Sequence, residues 1–269
     1  MIPNWVKDVY TLELRKIFSY RVDFWMEFLG SIGIHLTAAY FLWKAIFEAN
    51  SASTIGGYTF GHMMVYYLLV PLIEKLVRGH ERGNISNEIY DGSLTRYLIY
   101  PLSFLGYKFV TNIAVSTIGV LQFFLIMIIY LIFFDVPPTV HFNLTNTVMA
   151  FIAIGSASIL FFLITASLEC IAFWADSIWS LLVMLRFCIG MLGGGMIPLS
   201  LFTPQAQEIL SYLPFIYIAS FPIRTLTGEV SFTQWGQGMF ILFFWIAVFA
   251  TVSKTVLKRG LYQYSGVGI

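Results

Sequence analysis

Residues 109–134, FVTNIAVSTIGVLQFFLIMIIYLIFF, decide the fold class, because they form a long apolar run without a single charge. A bilayer core of about 30 Å is crossed by about 20 apolar residues in a helix. A second uncharged run, FNLTNTVMAFIAIGSASILFFLITASL at 142–168, has the same property. Both runs are therefore predicted to be membrane-spanning helices.

The composition of the whole chain agrees with these two runs. Of the 269 residues, 58% are hydrophobic and 11% are charged, whereas ordinary soluble domains carry about 25% charged residues. The mean hydropathy is +0.80 and the net charge is +1. These values exclude a soluble enzyme, a nucleic-acid binder and a disordered chain, and they predict an all-α membrane protein.

The pattern predicts a single membrane domain covering 1–269, which begins with an amphipathic interfacial helix at 1–22. Helix-length apolar stretches, with end charges that reach the interface, predict six transmembrane helices at 23–47, 58–78, 104–134, 143–174, 177–200 and 231–256. If the N-terminus is inside, most of the fifteen Lys and Arg residues lie on inner segments. The positive-inside rule therefore predicts cytoplasmic N- and C-termini.

The inner segment between spans two and three, at 84–99, reads as a short amphipathic helical element. Asn84 or Ser86 can cap a helix there, and Gly92 can end its first turn. An apolar stripe follows at Leu94, Leu98 and Ile99, before Pro101 stops the element. Such an element is suited to docking into another protein, although a solvated loop with interface-seeking aromatic residues has the same pattern.

Between spans five and six, prolines divide the chain into short helices at 203–223. Pro198, Pro204 and Pro214 break this region and Pro222 is predicted to end it. Non-helical backbone at membrane depth requires shielding by protein or water. The region is therefore predicted to be a re-entrant helical hairpin that gates a path, with a lid-like loop without a transport role as the alternative.

Catalytic and metal-binding patterns are missing from the sequence. It contains no phosphate-binding loop, no His-Glu-x-x-His pair and no nucleophile elbow. The four histidines, at positions 35, 62, 80 and 141, do not have ligand spacing. We therefore expect neither an enzyme nor a metal site.

Two pairs of residues within the spans carry weaker signals. Glu169 and Arg186 lie near the inner ends of spans four and five, where they are predicted to form a buried ion pair or to line an ion or substrate path. Gly190 and Gly194 place small residues on one helix face. That spacing permits close helix packing, either within the chain or at a dimer contact.

The order of these elements resembles the ABC-2-type transporter permeases, the ABC-2 family transporter proteins. The residues that carry the resemblance are EIYDGSL at 88–94 with YPLS at 100–103, FW at 173–174, IPLSLF at 197–202 and LPF at 213–215. Tyr100 stands where the family commonly has Arg. The resemblance covers essentially the whole chain.

The resemblance implies a non-catalytic subunit of an ATP-driven exporter in a bacterial inner membrane. Two permeases, identical or homologous, would form a path for a hydrophobic or amphipathic substrate, while separate ATPase subunits would bind ATP and Mg. The implied contacts to those subunits are Glu88, Ile89, Asp91, Gly92 and Leu94. Nucleic acid is not an expected partner.

Two other functions remain open on the residues alone. A secondary carrier or channel would use Glu169 and Arg186, although the absence of a visible internal repeat disfavours an inverted-repeat carrier. A non-transporting membrane scaffold would tolerate changes at Pro214 and Pro222.

Overall fold

The computed structural model describes residues 4–19, 21–79 and 84–264. Within these ranges all regular elements are helical. Eleven α-helices are described: α1 (Asn4–Ser19), α2 (Arg21–Asn50), α3 (Phe60–Arg78), α4 (Asn84–Tyr90), α5 (Leu94–Ile99), α6 (Phe104–Phe133), α7 (Leu144–Glu169), α8 (Trp179–Leu192), α9 (Pro204–Ser211), α10 (Ser220–Leu226) and α11 (Phe232–Leu261). Short 3-10 helices follow α7, precede α9 and lie between α9 and α10, at Cys170–Phe173, Leu199–Leu201 and Pro214–Tyr217.

Four helices in the described ranges are long and apolar enough to cross a membrane: α3, α6, α7 with its following turn, and α11. The chain is thus a multi-pass membrane protein by length and composition. Helix α2 is long, but His35, Tyr40 and Lys44 lower its hydropathy, and it is not one of the four. The six-span topology stays a prediction.

Helix α8 is shorter than the span predicted at 177–200. It has 14 residues, which at 1.5 Å per residue gives about 21 Å, less than the hydrocarbon core of a bilayer. The helix ends at Leu192 because three glycines follow, of which Gly194 has φ +85°. Glycine adopts this left-handed conformation at little cost.

Helix α3 is the central element of the bundle. It packs against α2, α6, α7 and α10, and most of its side chains are buried, among them Tyr66, Leu69 and Ile73. Pro71 lies inside the helix. Because proline lacks an N–H, the carbonyl of Tyr67 loses its helical partner there.

Helices α6 and α11 present wide apolar faces to the surroundings, with exposed side chains such as Leu121, Ile132, Phe240 and Phe244. Helix α1 packs against α6 and leaves Leu12 and Phe18 exposed. Apolar exposure of this extent is expected for surfaces covered by lipid or by another membrane protein.

The predicted hairpin region contains α9, a 3-10 helix and α10 rather than two long arms. Pro204 begins α9 after the cap Thr203, and Pro214 begins the 3-10 helix. Pro222 was expected to end the region, but it lies within the first turn of α10. A proline is tolerated there because first-turn N–H groups have no partner within the helix.

Candidate functional site

The segment at 84–99, which we call the coupling element, contains two short helices instead of one. Helices α4 and α5 are separated by a turn in which Gly92 has φ +76°. The Asp91 carboxylate accepts a hydrogen bond from the Ser93 amide at 2.9 Å. Hydrogen bonds from the Ser93 hydroxyl and amide lower the pKa of the exposed Asp91 below its usual range. The turn is thus fixed by its own side chains.

The start of the coupling element is attached to α7 by a buried carboxylate. Glu169 Oε2 accepts hydrogen bonds from the backbone amides of Ile85, at 2.7 Å, and Ser86, at 3.2 Å. These two amides belong to the first turn of α4, which has no partner for them within the helix. Glu169 therefore acts as a long-range cap that connects α4 to the end of α7.

An ion pair attaches the same element to α6. The Lys108 ammonium donates to Glu88, and both side chains are largely buried. The ammonium also lies 5.0 Å from the centre of the Tyr97 ring, close enough for a cation–π interaction. Burial and the neighbouring Glu88 raise the pKa of the Tyr97 hydroxyl.

The far side of the element is attached to two further segments. Tyr264, which follows α11, donates from its hydroxyl to the Gly92 carbonyl at 2.7 Å and lies 3.1 Å from the Thr95 hydroxyl. Tyr90 donates to the Ala175 carbonyl, in the turn between α7 and α8, at 3.0 Å. The coupling element is therefore joined to α6, α7 and α11, three of the four apolar long helices.

The structure separates the five residues that the resemblance implied as ATPase contacts. Ile89, Gly92 and Leu94 are buried within the chain, and Leu94 has no exposed surface. Glu88 forms an ion pair with Lys108, whereas Asp91 is exposed. Only Asp91 is thus fully open to a partner in this conformation.

A different set of side chains forms the exposed surface of the element. Beside Asp91, this surface, which we call the coupling rim, consists of Tyr90, Arg96, Leu98, Ile99 and Tyr100. Sequence reasoning named Leu98 and Ile99 as part of a stripe with Leu94, but Leu94 is buried whereas Leu98 and Ile99 are exposed. Tyr90, Lys108 and Tyr264 were missed as site residues, because nothing in their local sequence marks such distant partners.

The predicted ion pair between Glu169 and Arg186 is not formed, so this prediction is wrong for the described conformation. Glu169 is used by the amides of α4, whereas Arg186 is exposed on α8. The backbone amides are better placed than the guanidinium, because α4 points its first turn at the carboxylate.

Gly190 and Gly194 are both buried and pack against other parts of the same chain. An added Cβ at Gly190 would lie 3.0 Å from Met196 Cγ, and one at Gly194 would lie 2.9 Å from the Tyr66 hydroxyl. The close approach that their spacing predicted is therefore made within the chain.

The opposite end of the bundle contains a buried polar group that sequence reasoning did not identify. Glu229 Oε2 accepts hydrogen bonds from Tyr58 Oη at 2.8 Å and Arg224 Nε at 3.2 Å. Its Oε1 accepts from Thr227 Oγ1 at 2.9 Å and lies 3.2 Å from His62 Nε2. We call these residues, together with Thr139, which contacts His62 Nδ1 at 3.0 Å, the Glu229 cluster.

The charge state of the cluster follows from its donors. Burial by itself would raise the pKa of Glu229, but the hydrogen bonds from His62, Tyr58 and Thr227 and the charge of Arg224 together lower it. Burial and the neighbouring Glu229 raise the pKa of Tyr58. The cluster therefore contains an ionised carboxylate beside a neutral phenol.

Helix α3 also holds the chain that follows α8. Tyr66 donates to the Gly194 carbonyl at 2.7 Å and Tyr67 donates to the Met196 carbonyl at 2.6 Å. Tyr58, His62 and Tyr66 are spaced four residues apart and their rings lie side by side, at centroid distances of 4.3 Å and 6.0 Å from Tyr58. This spacing was visible in the sequence as polar aromatics on one face of an apolar helix.

The hydrogen bonds from α3 attach residues 193–231, which we call the cap segment, to the centre of the bundle. The cap segment includes all four predicted gate prolines, Pro198, Pro204, Pro214 and Pro222. In the described ranges, no group of three His, Cys, Asp or Glu side chains is arranged to hold a metal ion.

Comparison with known proteins decides the family. The family described as ABC-2 family transporter protein matches residues 34–268. The chain belongs to this family. As an ABC-2 transporter protein, it is the membrane permease component of an ABC system, a component that associates with ABC ATPase subunits. No curated protein and no solved structure matches the chain at a significant level.

Proposed function

We propose that this ABC-2 permease is half of the membrane path of an ATP-driven exporter and is moved by separate ATPase subunits that dock on the coupling rim. The observation that carries the proposal is the coupling element itself. Its outer surface is exposed, while its inner surface is attached to α6, α7 and α11.

The chemistry of the coupling rim supports a protein partner. Ile99 is 77% exposed and Tyr100 is 60% exposed, although both lie outside the four candidate spans. Apolar and aromatic side chains beside charged ones, here Asp91 and Arg96, are typical of the centre and edge of a protein interface. The rim is formed by only two short helices. A surface of this size is small enough to insert into a groove of a larger subunit.

The contacts between the coupling element and the long helices explain how movement of the ATPase reaches the membrane path in this proposal. When ATP binding moves the docked subunit, the rim moves with it, and the hydrogen bonds to Glu169, Lys108 and Tyr264 pass the displacement to three long helices. ATP and Mg bind on the partner subunit in this scheme. The permease contributes no catalytic group and converts a displacement at one end of the bundle into a change of the path.

A second permease completes the path in this proposal. The wide apolar faces of α6 and α11 are available to lipid and to a second chain. The six-span topology with cytoplasmic termini in a bacterial inner membrane places the coupling rim in the cytosol and the cap segment outside. A path between apolar helices suits a hydrophobic or amphipathic substrate moved outward.

The test is a matched pair of substitutions at opposite ends of the bundle. Ile99→Asp places a charge in the coupling rim, and Ile209→Asp places the same charge on α9, where Ile209 is 65% exposed. Each variant is co-expressed and purified with the ABC ATPase that copurifies with the wild-type chain, and the amount of ATPase recovered and the rate of ATP hydrolysis are measured. We expect Ile99→Asp to lose most of both and Ile209→Asp to keep ATPase binding.

Equal ATPase recovery with both variants would contradict docking at the rim. Transport by the purified permease in liposomes without any ATPase would contradict the ATP-driven mechanism and favour a secondary carrier or channel. Glu169, on which such a carrier was expected to depend, serves α4 as a cap in this structure.

A further inference from the structure

Four polar side chains converge on one largely buried carboxylate, Glu229, at the end of the bundle opposite the coupling element. Tyr58 precedes α3, His62 lies in its first turn, and Arg224 and Thr227 come from the cap segment that also contains Glu229. The contact between Tyr58 and Glu229 joins positions 171 residues apart. From this convergence we infer that Glu229 is the positioning residue that holds the cap segment closed against α3, and that neutralising its charge releases the segment.

The polar groups around Glu229 favour its ionised form. Tyr58, Thr227 and Arg224 each offer an N–H or O–H to the carboxylate, and an ionised carboxylate accepts without donating. Beside an ionised carboxylate, His62 Nε2 carries the proton and donates to Glu229 Oε1. A neutral carboxyl or amide in this place would be a weaker acceptor for Arg224, whose guanidinium can only donate.

The His62 ring is compatible with either of its own charge states. When it is neutral, Nδ1 accepts from the Thr139 hydroxyl; when it is protonated, Nδ1 donates to the Thr139 oxygen, and Nε2 still donates to Glu229. The other titratable or charged groups facing Glu229 are Tyr58, Arg224 and, one turn further along α3, Tyr66. The carboxylate is the group whose loss of charge removes the common acceptor.

The cluster also connects the loop between α6 and α7. Thr139 reaches His62, and the His141 amide donates to the Thr227 carbonyl at 2.9 Å. Gly228 has φ +84° and lies so close to His141 that an added Cβ would be 3.1 Å from its carbonyl oxygen. Glu229 thus fixes a tight turn to which three separate segments are attached.

The consequence for transport rests on the proposed function. A path that opens at this end requires the cap segment to leave α3, and the cluster is the polar contact that must break. Tyr66 and Tyr67 hold the other side of the segment through backbone carbonyls, which carry no charge to lose. Glu229 is therefore the point at which a change of charge controls opening.

The experiment compares Glu229→Gln with Glu208→Gln by hydrogen–deuterium exchange of the full chain in lipid nanodiscs, without ATP or partner subunit. Glu208 lies in the same cap segment but is exposed, so its variant is a matched control. We expect Glu229→Gln to accelerate amide exchange at 193–231 by about tenfold or more, with exchange at 84–99 unchanged. Glu208→Gln is expected to match the wild type.

Two milder variants keep the test decisive if Glu229→Gln does not fold. Tyr58→Phe and Thr227→Val each remove one donor to the carboxylate and leave the charge in place. Each is expected to accelerate exchange in the cap segment less than Glu229→Gln does, and Tyr58→Phe should add little in the Glu229→Gln background.

Wild-type exchange rates in the cap segment of all three variants would overturn the inference. So would an equal acceleration at both ends of the bundle, because that would reveal general destabilisation. Neither result depends on ATPase docking, so a failure here and a failure of the proposed function are distinguishable.

Discussion

Tyr264 donates a hydrogen bond of 2.7 Å to the carbonyl of Gly92, a residue 172 positions earlier in the chain. The segment that follows α11 is thereby attached to the turn at the centre of the coupling element. Tyr264 also lies edge-on to Phe173, with ring centroids 6.0 Å apart. The end of α11, the end of α7 and the coupling element therefore meet at one place.

Removing the Tyr264 hydroxyl should separate transport from ATP hydrolysis. Tyr264→Phe keeps the ring but loses the contacts to Gly92 and Thr95, which are each worth about 0.5–1.5 kcal/mol. We expect the complex to bind ATPase normally and to move less substrate per ATP hydrolysed. The measurement is the ratio of transport to hydrolysis in proteoliposomes.

Tyr262→Phe is the control for that experiment, because Tyr262 is 80% exposed on the same segment. It should keep the wild-type ratio. An unchanged ratio in Tyr264→Phe would show that α11 does not take part in coupling through this contact.

Deleting the Glu169 carboxylate should loosen the start of the coupling element. Glu169→Ala leaves the amides of Ile85 and Ser86 without their acceptor in a largely buried place, at a cost of about 1–3 kcal/mol in the free energy of unfolding. Glu169→Gln retains one carbonyl oxygen and should recover part of the loss. Thermal unfolding, with local hydrogen exchange at 84–90, measures both effects.

The exposed Glu208 provides the comparison for this series, and Glu208→Ala should unfold like the wild type. If Glu169→Gln is as damaging as Glu169→Ala, the acceptor role assigned to Glu169 is wrong.

The close packing of Gly260 against Phe173 predicts different effects of alanine at two glycines of α11. A Cβ added at Gly260 would lie 2.0 Å from Phe173 Cδ2, whereas a Cβ at Gly236, in the same helix, would meet no atom within 4 Å. Gly260→Ala should therefore destabilise the protein by about 1–3 kcal/mol through overpacking. Gly236→Ala should be neutral or stabilise the helix by up to about 1 kcal/mol.

Thermal unfolding of both glycine variants in the same detergent is the measurement. Similar unfolding temperatures for the two would contradict the close contact between α11 and Phe173.

Stability of the cap end should depend on pH through Glu229. Its pKa is lowered in the fold, so its contribution is present above the ordinary carboxyl pKa of 4.5 and is lost as the pH falls through the lowered value. The difference in unfolding temperature between the wild type and Glu229→Gln should therefore shrink below about pH 4.5. The wild type and Glu208→Gln should differ little across the same range, and a constant difference for Glu229→Gln would contradict this linkage.

The sequence was most informative about elements whose signal is local. The uncharged run at 109–134 predicted α6, and the pattern at 84–99 predicted one short helical element with Gly92 ending its first turn, where the structure has two short helices on either side of Gly92. The motifs at 88–94 and 197–202 pointed to the family, which the match to residues 34–268 confirms.

Side-chain partners were much harder to predict, because they depend on the three-dimensional approach of distant segments. Glu169 was paired with Arg186 from their separation along the chain, yet its acceptor role is filled by backbone amides that no sequence pattern displays. Ile89 and Leu94 were expected to face a partner from the family resemblance, which does not reveal which face the chain itself covers. Glu229 was not predicted as a site residue because its partner Tyr58 lies in a different loop, 171 positions away in the sequence.

Pro71 makes the central helix α3 easier to bend. The missing hydrogen bond at Tyr67 makes α3 easiest to bend at that level, between the Glu229 cluster and the coupling end. In the proposed transport cycle, a displacement along α3 would bend the helix at this level rather than move it as a rigid rod. Under the proposed function, the two ends of the bundle can therefore move at different times during transport.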